Sequence, residues 1–170
     1  MVDRQHAALI KDLAEVVGTH LVGAGLTVTV AESCTGGLLA AALTDIAGSS
    51  AWFEIGFVTY APRAKHSLLG VPWERLDEAT IVSAPTAVAM ARGALTASGA
   101  DISVGVTGYA GPSGGTPDCP VGTVAIGWVT AGRERARVCH FTGDRGAVRA
   151  QAVAAALTGL KDCLEQDFPR

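Results

Sequence analysis

Strand-like and helix-like segments alternate along this chain, and the alternation leaves few folds open. Residues 26–31 alternate β-branched and small side chains, a pattern typical of strands. The small apolar run over residues 38–43 has the composition of a helix, and the turn Glu32-Ser-Cys-Thr-Gly-Gly37 joins the two. A strand that passes through a tight turn into a helix is the building unit of α/β domains.

The alternation continues to the end of the chain. The periodicity predicts further strands over 51–60, 102–107, 121–130 and 134–141, and helices over 9–21, 62–69, 84–98 and 144–165. Ser83 is the expected N-cap of the 84–98 helix, and a turn at 131–133 makes the last two strands a hairpin. We therefore expect one domain over residues 1–170, a three-layer α/β/α sandwich with a mixed, mostly parallel sheet of about five strands.

Charge and cysteine usage exclude several classes of function. Thirteen basic against sixteen acidic residues give a net charge of −3, so nucleic acid is a poor candidate partner. No stretch approaches the ~18 apolar residues of a membrane span, and the first twenty residues lack the apolar centre of a signal peptide, so we expect a soluble cytoplasmic protein. The four cysteines form no C-x-x-C pair, and we expect neither metal nor disulfides.

Polar residues follow three of the predicted strands, and the carboxyl ends of neighbouring parallel strands meet at one edge of a sheet. Ser33 lies in the first of these loops, where backbone N–H groups can stabilise an oxyanion, although it could equally be a helix N-cap. Lys65 follows the second strand and could act as a base for a serine nucleophile or be a solvated surface lysine. Tyr60 and Tyr109 occupy the same strand ends.

The loop over residues 108–120 has four glycines and three prolines. It lacks the ending of a P-loop and the spacing of a dinucleotide fold, so it is only a weak candidate for a phosphate or ribose cradle. Arg145 and Arg149 open the last predicted helix, where a cation is unfavourable for the helix dipole. Another role, such as binding a phosphate, is therefore favoured for these arginines.

Several motifs in a fixed order resemble the CinA C-terminal domain family, which includes stand-alone nicotinamide-nucleotide amidohydrolases. The resemblance spans about residues 9–164 and implies hydrolysis of the amide of nicotinamide mononucleotide to nicotinate mononucleotide and ammonia, with no metal or other cofactor. The motifs that carry it are Ala31-Glu-Ser-Cys-Thr-Gly-Gly37, Gly48-Ser-Ser50, Gly56-Phe-Val-Thr-Tyr60 through Lys65 to Leu68-Leu-Gly-Val71, Thr107-Gly-Tyr-Ala-Gly-Pro112 and Pro120-Val-Gly-Thr-Val124.

The resemblance also implies roles for individual residues. Ser33 would be the nucleophile and Lys65 its base, with Tyr60 and Thr107 as supporting polar groups. The residues expected to contact the nucleotide are Cys34, Thr35, Gly36, Gly111, Pro112, Ser113, Gly114, Gly115 and Arg145.

The chain departs from the family pattern at Tyr109, where an aliphatic residue is usual, at Cys119, where lysine commonly precedes Pro-Val-Gly, and at Ala61-Pro62. The first two departures adjoin the expected nucleotide loop. They keep open an alternative function, a catalytically weak or inactive nucleotide-binding or interaction module of the same fold.

Length and apolar composition favour a homo-oligomer, a dimer or larger.

Overall fold

The computed structural model describes residues 4–169. The predictions about the first twenty residues and about one domain over 1–170 therefore reach partly outside the described residues. Short 3-10 turns lie at residues 49–51 and 73–75. The longer elements are α1 (Arg4–Ala24), β1 (Val28–Glu32), α2 (Leu38–Thr44), β2 (Phe53–Val58), α3 (Pro62–Leu69), α4 (Ala84–Ser98), β3 (Ile102–Gly108), β4 (Thr123–Thr130), β5 (Glu134–His140) and α5 (Arg145–Asp167).

Within residues 4–169 these strands form one five-stranded sheet in the order β2-β1-β3-β4-β5. The pairs β1 with β2 and β1 with β3 are parallel, whereas β3 with β4 and β4 with β5 are antiparallel. Four strands thus point in one direction and β4 alone points in the other. The expected mixed sheet of five strands is confirmed, but only two of its four neighbouring pairs are parallel, because the chain reverses between β3 and β4 and again in the hairpin between β4 and β5.

The sheet has an apolar layer on each face. Successive side chains of a strand point to opposite faces of the sheet. Val30, Val104 and Ile126 lie on the face covered by α1, α2 and α5. Ala31 lies on the other face, where it packs with Met90 in the layer formed by α3 and α4. The three central strands are buried along almost their whole length. This is the predicted three-layer sandwich, with β2 and β5 as the partly exposed edges.

Two glycines allow α4 to approach the sheet closely. Gly105 of β3 and Gly127 of β4 are directly paired across the strands. A Cβ atom added at Gly105 would lie 2.2 Å from the carbonyl oxygen of Ala87 on α4, and one added at Gly127 would lie 2.7 Å from the carbonyl carbon of Ala87. Only glycine fits at these positions, so the alanine-rich face of α4 rests on the backbone of the sheet.

Helix caps agree with the sequence patterns. Ser83 Oγ accepts a hydrogen bond from the N–H of Thr86 at the start of α4, and the carboxylate of Asp144 accepts one from Ala147 at the start of α5. Among residues 4–169, no helix combines the length and the apolar character needed to cross a membrane.

Because β1, β2 and β3 are mutually parallel, their last residues, Glu32, Val58 and Gly108, lie at one edge of the sheet.

Candidate active site

Ser33 and Lys65 meet at this edge of the sheet. Ser33 directly follows β1, and Lys65 is in the first turn of α3, which Pro62 opens at its N1 position. The Nζ atom of Lys65 lies 2.9 Å from the Oγ atom of Ser33, although the residues are 32 positions apart in sequence. The N-cap of α2 is Gly37, so Ser33 is free of the capping role that the sequence had left open.

Lys65 is a buried lysine with no acidic partner among the described residues. Only 1% of its surface is exposed, and its other two hydrogen bonds go to the carbonyl oxygens of Thr59 at 2.9 Å and Tyr60 at 3.2 Å. Burial disfavours the ammonium form and lowers the pKa of Lys65 from 10.5 to about 8. The alternative of a solvated surface lysine is therefore wrong.

The three oxygen atoms around Lys65 determine what the neutral amine can do. A neutral amine has two N–H groups and one lone pair, whereas the ammonium form has three N–H groups. The carbonyl oxygens of Thr59 and Tyr60 can only accept, so they take both N–H groups of the neutral form. The lone pair is left for the hydroxyl of Ser33, which is the arrangement required of a general base.

A fully buried carboxylate fixes the turn that carries Ser33. Glu32 has no exposed surface, and its oxygens accept hydrogen bonds from the N–H groups of Gly37, Leu39 and Ala40 at 2.8–3.1 Å. These bonds satisfy donors at the start of α2 that would otherwise be buried without partners. Glu32 was not among the predicted site residues, although a charged residue at the end of an apolar strand is a signal of such a site.

Arg149 of α5 holds the same turn from the other side. Its Nε donates to the carbonyl oxygen of Cys34 at 3.1 Å and its Nη2 to that of Thr35 at 2.8 Å. The guanidinium therefore binds the backbone of the turn that carries Ser33, outside the lining of the cleft, and a role of Arg149 in binding a phosphate stays a prediction. Arg145 faces the cleft instead.

The thiol beside Ser33 is poorly suited to attack. Cys34 is buried, and burial raises its pKa from 9.0 to about 12. At neutral pH it is a thiol rather than a thiolate. All four cysteines of the chain are free.

Ser33 and Lys65 line a cleft of about 200 Å³. Six other predicted site residues line it as well: Tyr60, Thr107, Cys34, Gly111, Ser113 and Arg145. The remaining five predicted contacts lie outside its lining: Thr35, Gly36, Pro112, Gly114 and Gly115. Thr35 is fully buried, and its carbonyl oxygen accepts a hydrogen bond from Arg149.

Arg145 stands at the mouth of the cleft. It donates to the hydroxyl of Tyr60 at 2.9 Å and to the carbonyl oxygen of Gly111 at 2.8 Å. Tyr60 is 58% exposed, so this pair is in contact with solvent. A guanidinium that bridges a loop carbonyl and a phenol at an open rim is placed to bind an anionic group of a ligand.

A short strap over residues 77–82 forms one wall of the cleft through Ile81 and Val82. Thr107 Oγ1 donates to the carbonyl oxygen of Ile81 at 2.9 Å, and Tyr109 Oη donates to that of Glu78 at 3.3 Å. The Sγ atom of Cys119 lies 3.8 Å from the carbonyl oxygen of Val82. Tyr109 and Cys119, the two departures from the family pattern near the loop, thus contact the same strap.

Outside this cleft, the described residues form a second, mainly apolar groove. A groove of about 560 Å³ between α1, α2 and α5 is lined mainly by apolar side chains, with Lys11 and Asp45 as its charged members. Residues 4–169 contain no group of three or more His, Cys, Asp or Glu side chains arranged to hold a metal ion.

Comparison with known proteins places this chain in a family. The model of the CinA C-terminal domain matches residues 10–164. The nicotinamide-nucleotide amidohydrolase PncC of Escherichia coli K12 is 53% identical over 153 residues, which cover 89% of this chain and 92% of the relative. The PncC of Pseudomonas putida is 50% identical over 151 residues, covering 89% and 94%.

Solved structures agree. The crystal structure of the competence/damage inducible protein CihA from Agrobacterium tumefaciens has a TM-score of 0.89 at 43% identity, covering 93% of this chain and 96% of that one. A CinA superfamily protein from Klebsiella pneumoniae has a TM-score of 0.87 at 41% identity, covering 91% and 97%. The protein therefore belongs to the CinA C-terminal domain family.

Proposed function

We propose that this protein hydrolyses the amide of nicotinamide mononucleotide to nicotinate mononucleotide and ammonia, with Ser33 as nucleophile and Lys65 as general base. The observation that carries the proposal is the 2.9 Å contact between a buried lysine amine and the Ser33 hydroxyl in a cleft. Relatives named as nicotinamide-nucleotide amidohydrolases at about 50% identity over most of the chain support this substrate.

The first half of the reaction forms an ester. The neutral Nζ of Lys65 takes the hydroxyl proton while Ser33 Oγ attacks the carboxamide carbon, giving a tetrahedral oxyanion. Lys65 then gives that proton to the amide nitrogen, the C–N bond breaks, and ammonia leaves. In the second half Lys65 takes a proton from water as the water oxygen attacks the ester, and returns it to Ser33 Oγ as the carboxylic acid product departs and loses its own proton to solvent.

The cleft suits part of the substrate. Its volume of about 200 Å³ is below the ~300–1,000 Å³ of typical ligand pockets, which fits a pyridine carboxamide ring with the rest of the nucleotide outside. Arg145 at the rim, hydrogen-bonded to Tyr60 and Gly111, would receive the phosphate. Gly111 and Ser113 are the loop residues that would contact the nucleotide.

We further propose a cytoplasmic homo-oligomer in which residues 1–170 form one domain. Four free cysteines suit a reducing compartment such as the cytoplasm. Ile55 and Val58 are exposed on β2, an edge strand whose outer side is unpaired within residues 4–169. Such an edge is a candidate surface for self-association, and light scattering on the purified protein would measure the oligomer directly.

The test of the proposed function is release of ammonia from nicotinamide mononucleotide by purified protein, with Ser33→Ala as the matched inactive variant. Wild type should release one ammonia per nicotinate mononucleotide formed, and the Ser33→Ala variant should release almost none. Calorimetric binding without ammonia release would instead support the alternative of a non-catalytic nucleotide-binding module.

A further inference from the structure

The nucleophile turn, residues 33–37, leaves two backbone N–H groups without an oxygen acceptor. Nearly all buried backbone N–H groups in proteins have a partner, so the exceptions call for an explanation. The N–H of Ser33 donates to Val106, that of Gly36 to the carbonyl of Ser33, and that of Gly37 to the carboxylate of Glu32. The N–H of Thr35 has no acceptor among the described residues, and that of Cys34 has only the sulfur of its own side chain.

The carbonyl groups of the same turn are all engaged. The carbonyl of Ser33 accepts from Gly36, and that of Cys34 accepts from Arg149. The carbonyl of Thr35 accepts from both Leu38 and Arg149. Two of these carbonyls are therefore held by one guanidinium, whose flat fork of donors fixes both peptide planes together.

The direction of the unused donors follows from peptide geometry. In a trans peptide the C=O and N–H groups point to opposite sides. Arg149 binds the carbonyl side of the peptide that joins Cys34 to Thr35, so the N–H of Thr35 points away from Arg149. Cys34 itself lines the cleft beside Ser33, and the N–H of Ser33 is already occupied by Val106.

We propose that Arg149 is a positioning residue that holds the turn so that the N–H groups of Cys34 and Thr35, which no oxygen of the protein occupies, stabilise the oxyanion formed by attack of Ser33. This inference rests on the proposed function only in taking Ser33 as the nucleophile. Preorganised donors of this kind lower the barrier because they need no reorientation when charge develops. Arg149 acts through the backbone and does not touch the substrate.

Two variants and one control test the proposal. Arg149→Met removes both hydrogen bonds to the turn, Arg149→Lys keeps a single donor, and Arg92→Met removes an arginine whose surface ion pair with Glu134 is remote from the cleft. Loss of an oxyanion donor typically lowers kcat about 10²–10³-fold. Because the donors lose their orientation rather than disappear, we expect Arg149→Met to lower kcat about 10–100-fold, Arg149→Lys to fall between, and Arg92→Met to match wild type.

Three readouts separate positioning from general damage to the fold. KM and the pH midpoint of kcat should stay unchanged in Arg149→Met, because Lys65 contacts Ser33, Thr59 and Tyr60 but not Arg149. The preference for the amide over the corresponding thioamide should shrink, since sulfur accepts hydrogen bonds weakly and gains little from the donors. A shifted pH midpoint, or an unchanged amide preference, would overturn the proposal.

A substrate-independent probe separates this inference from the proposed function. A fluorophosphonate reacts when Ser33 Oγ attacks phosphorus, Lys65 takes the hydroxyl proton and fluoride leaves, and the phosphoryl oxygen then occupies the oxyanion position. Labelling should slow in Arg149→Met by about the same factor as kcat. Slow labelling of this variant, with no hydrolysis of nicotinamide mononucleotide by wild type, would refute the substrate and keep the positioning role. Equal labelling rates in wild type and Arg149→Met would overturn the positioning role.

Discussion

Replacing Lys65 by arginine tests whether its amine works by losing a proton. Arginine keeps the positive charge but stays protonated at any working pH. The wild-type pKa of about 8 leaves about a tenth of the amines neutral at pH 7, against about 0.03% for an ordinary lysine of pKa 10.5. Between pH 7 and pH 9 the neutral fraction, and with it kcat, should rise about tenfold and then level off.

The assay is kcat for ammonia release from nicotinamide mononucleotide between pH 6 and pH 10. Lys65→Arg should lose nearly all turnover and show no rise with pH, while binding measured by calorimetry survives in part. Lys161→Arg is the matched control, because Lys161 lies on α5 and pairs only with Asp162 and Glu165 among the described residues. An active Lys65→Arg enzyme, or a wild-type midpoint near 10, would refute the role of the amine as a base.

Further predictions concern stability and the thiol. The free energy of unfolding of wild type, relative to that of Lys65→Met, should rise by about 3 kcal/mol from pH 7 to pH 10.5. The lowered folded-state pKa makes burial of the ammonium unfavourable below pH 8, and this cost vanishes at higher pH as the unfolded chain also loses its proton. If the free energy of unfolding, measured in urea titrations, changed equally with pH in the two proteins, the prediction would be contradicted. Glu32→Gln should lose about 2–4 kcal/mol of stability, measured by denaturant unfolding, because it replaces a buried carboxylate that accepts three N–H bonds. Cys34→Ser should keep most of the turnover, and thiol alkylation that abolishes wild-type activity would show that the sulfur attacks.

Elements with strong local signals could be predicted closely. The proline that opens α3 and the serine that caps α4 mark their starts, and the predicted helices 62–69 and 84–98 coincide with the observed ones. The ends of β1 and β2 differ by one or two residues because strand limits depend on pairing with neighbours, which no local pattern encodes.

The site was predictable as a set of strand-end residues but not as a network. Ser33 and Lys65 were expected to converge because parallel strands end at one edge. The burial of Lys65, which lowers its pKa, depends on the packing of the whole sheet and could not be inferred from composition. The backbone partners of Arg149 could not be predicted, because the helix-dipole argument finds an unusual cation but not its contacts, which lie more than 110 residues away in sequence.

Peptide mass mapping of enzyme quenched with acid during turnover of nicotinamide mononucleotide would identify the attacking atom directly. Attack by Ser33 predicts a nicotinoyl nucleotide ester on Ser33, with a mass equal to the substrate minus ammonia, and no such adduct in the Ser33→Ala variant. An adduct on Cys34, or steady turnover by Ser33→Ala, would contradict the assignment of the serine and lysine pair as the catalytic centre.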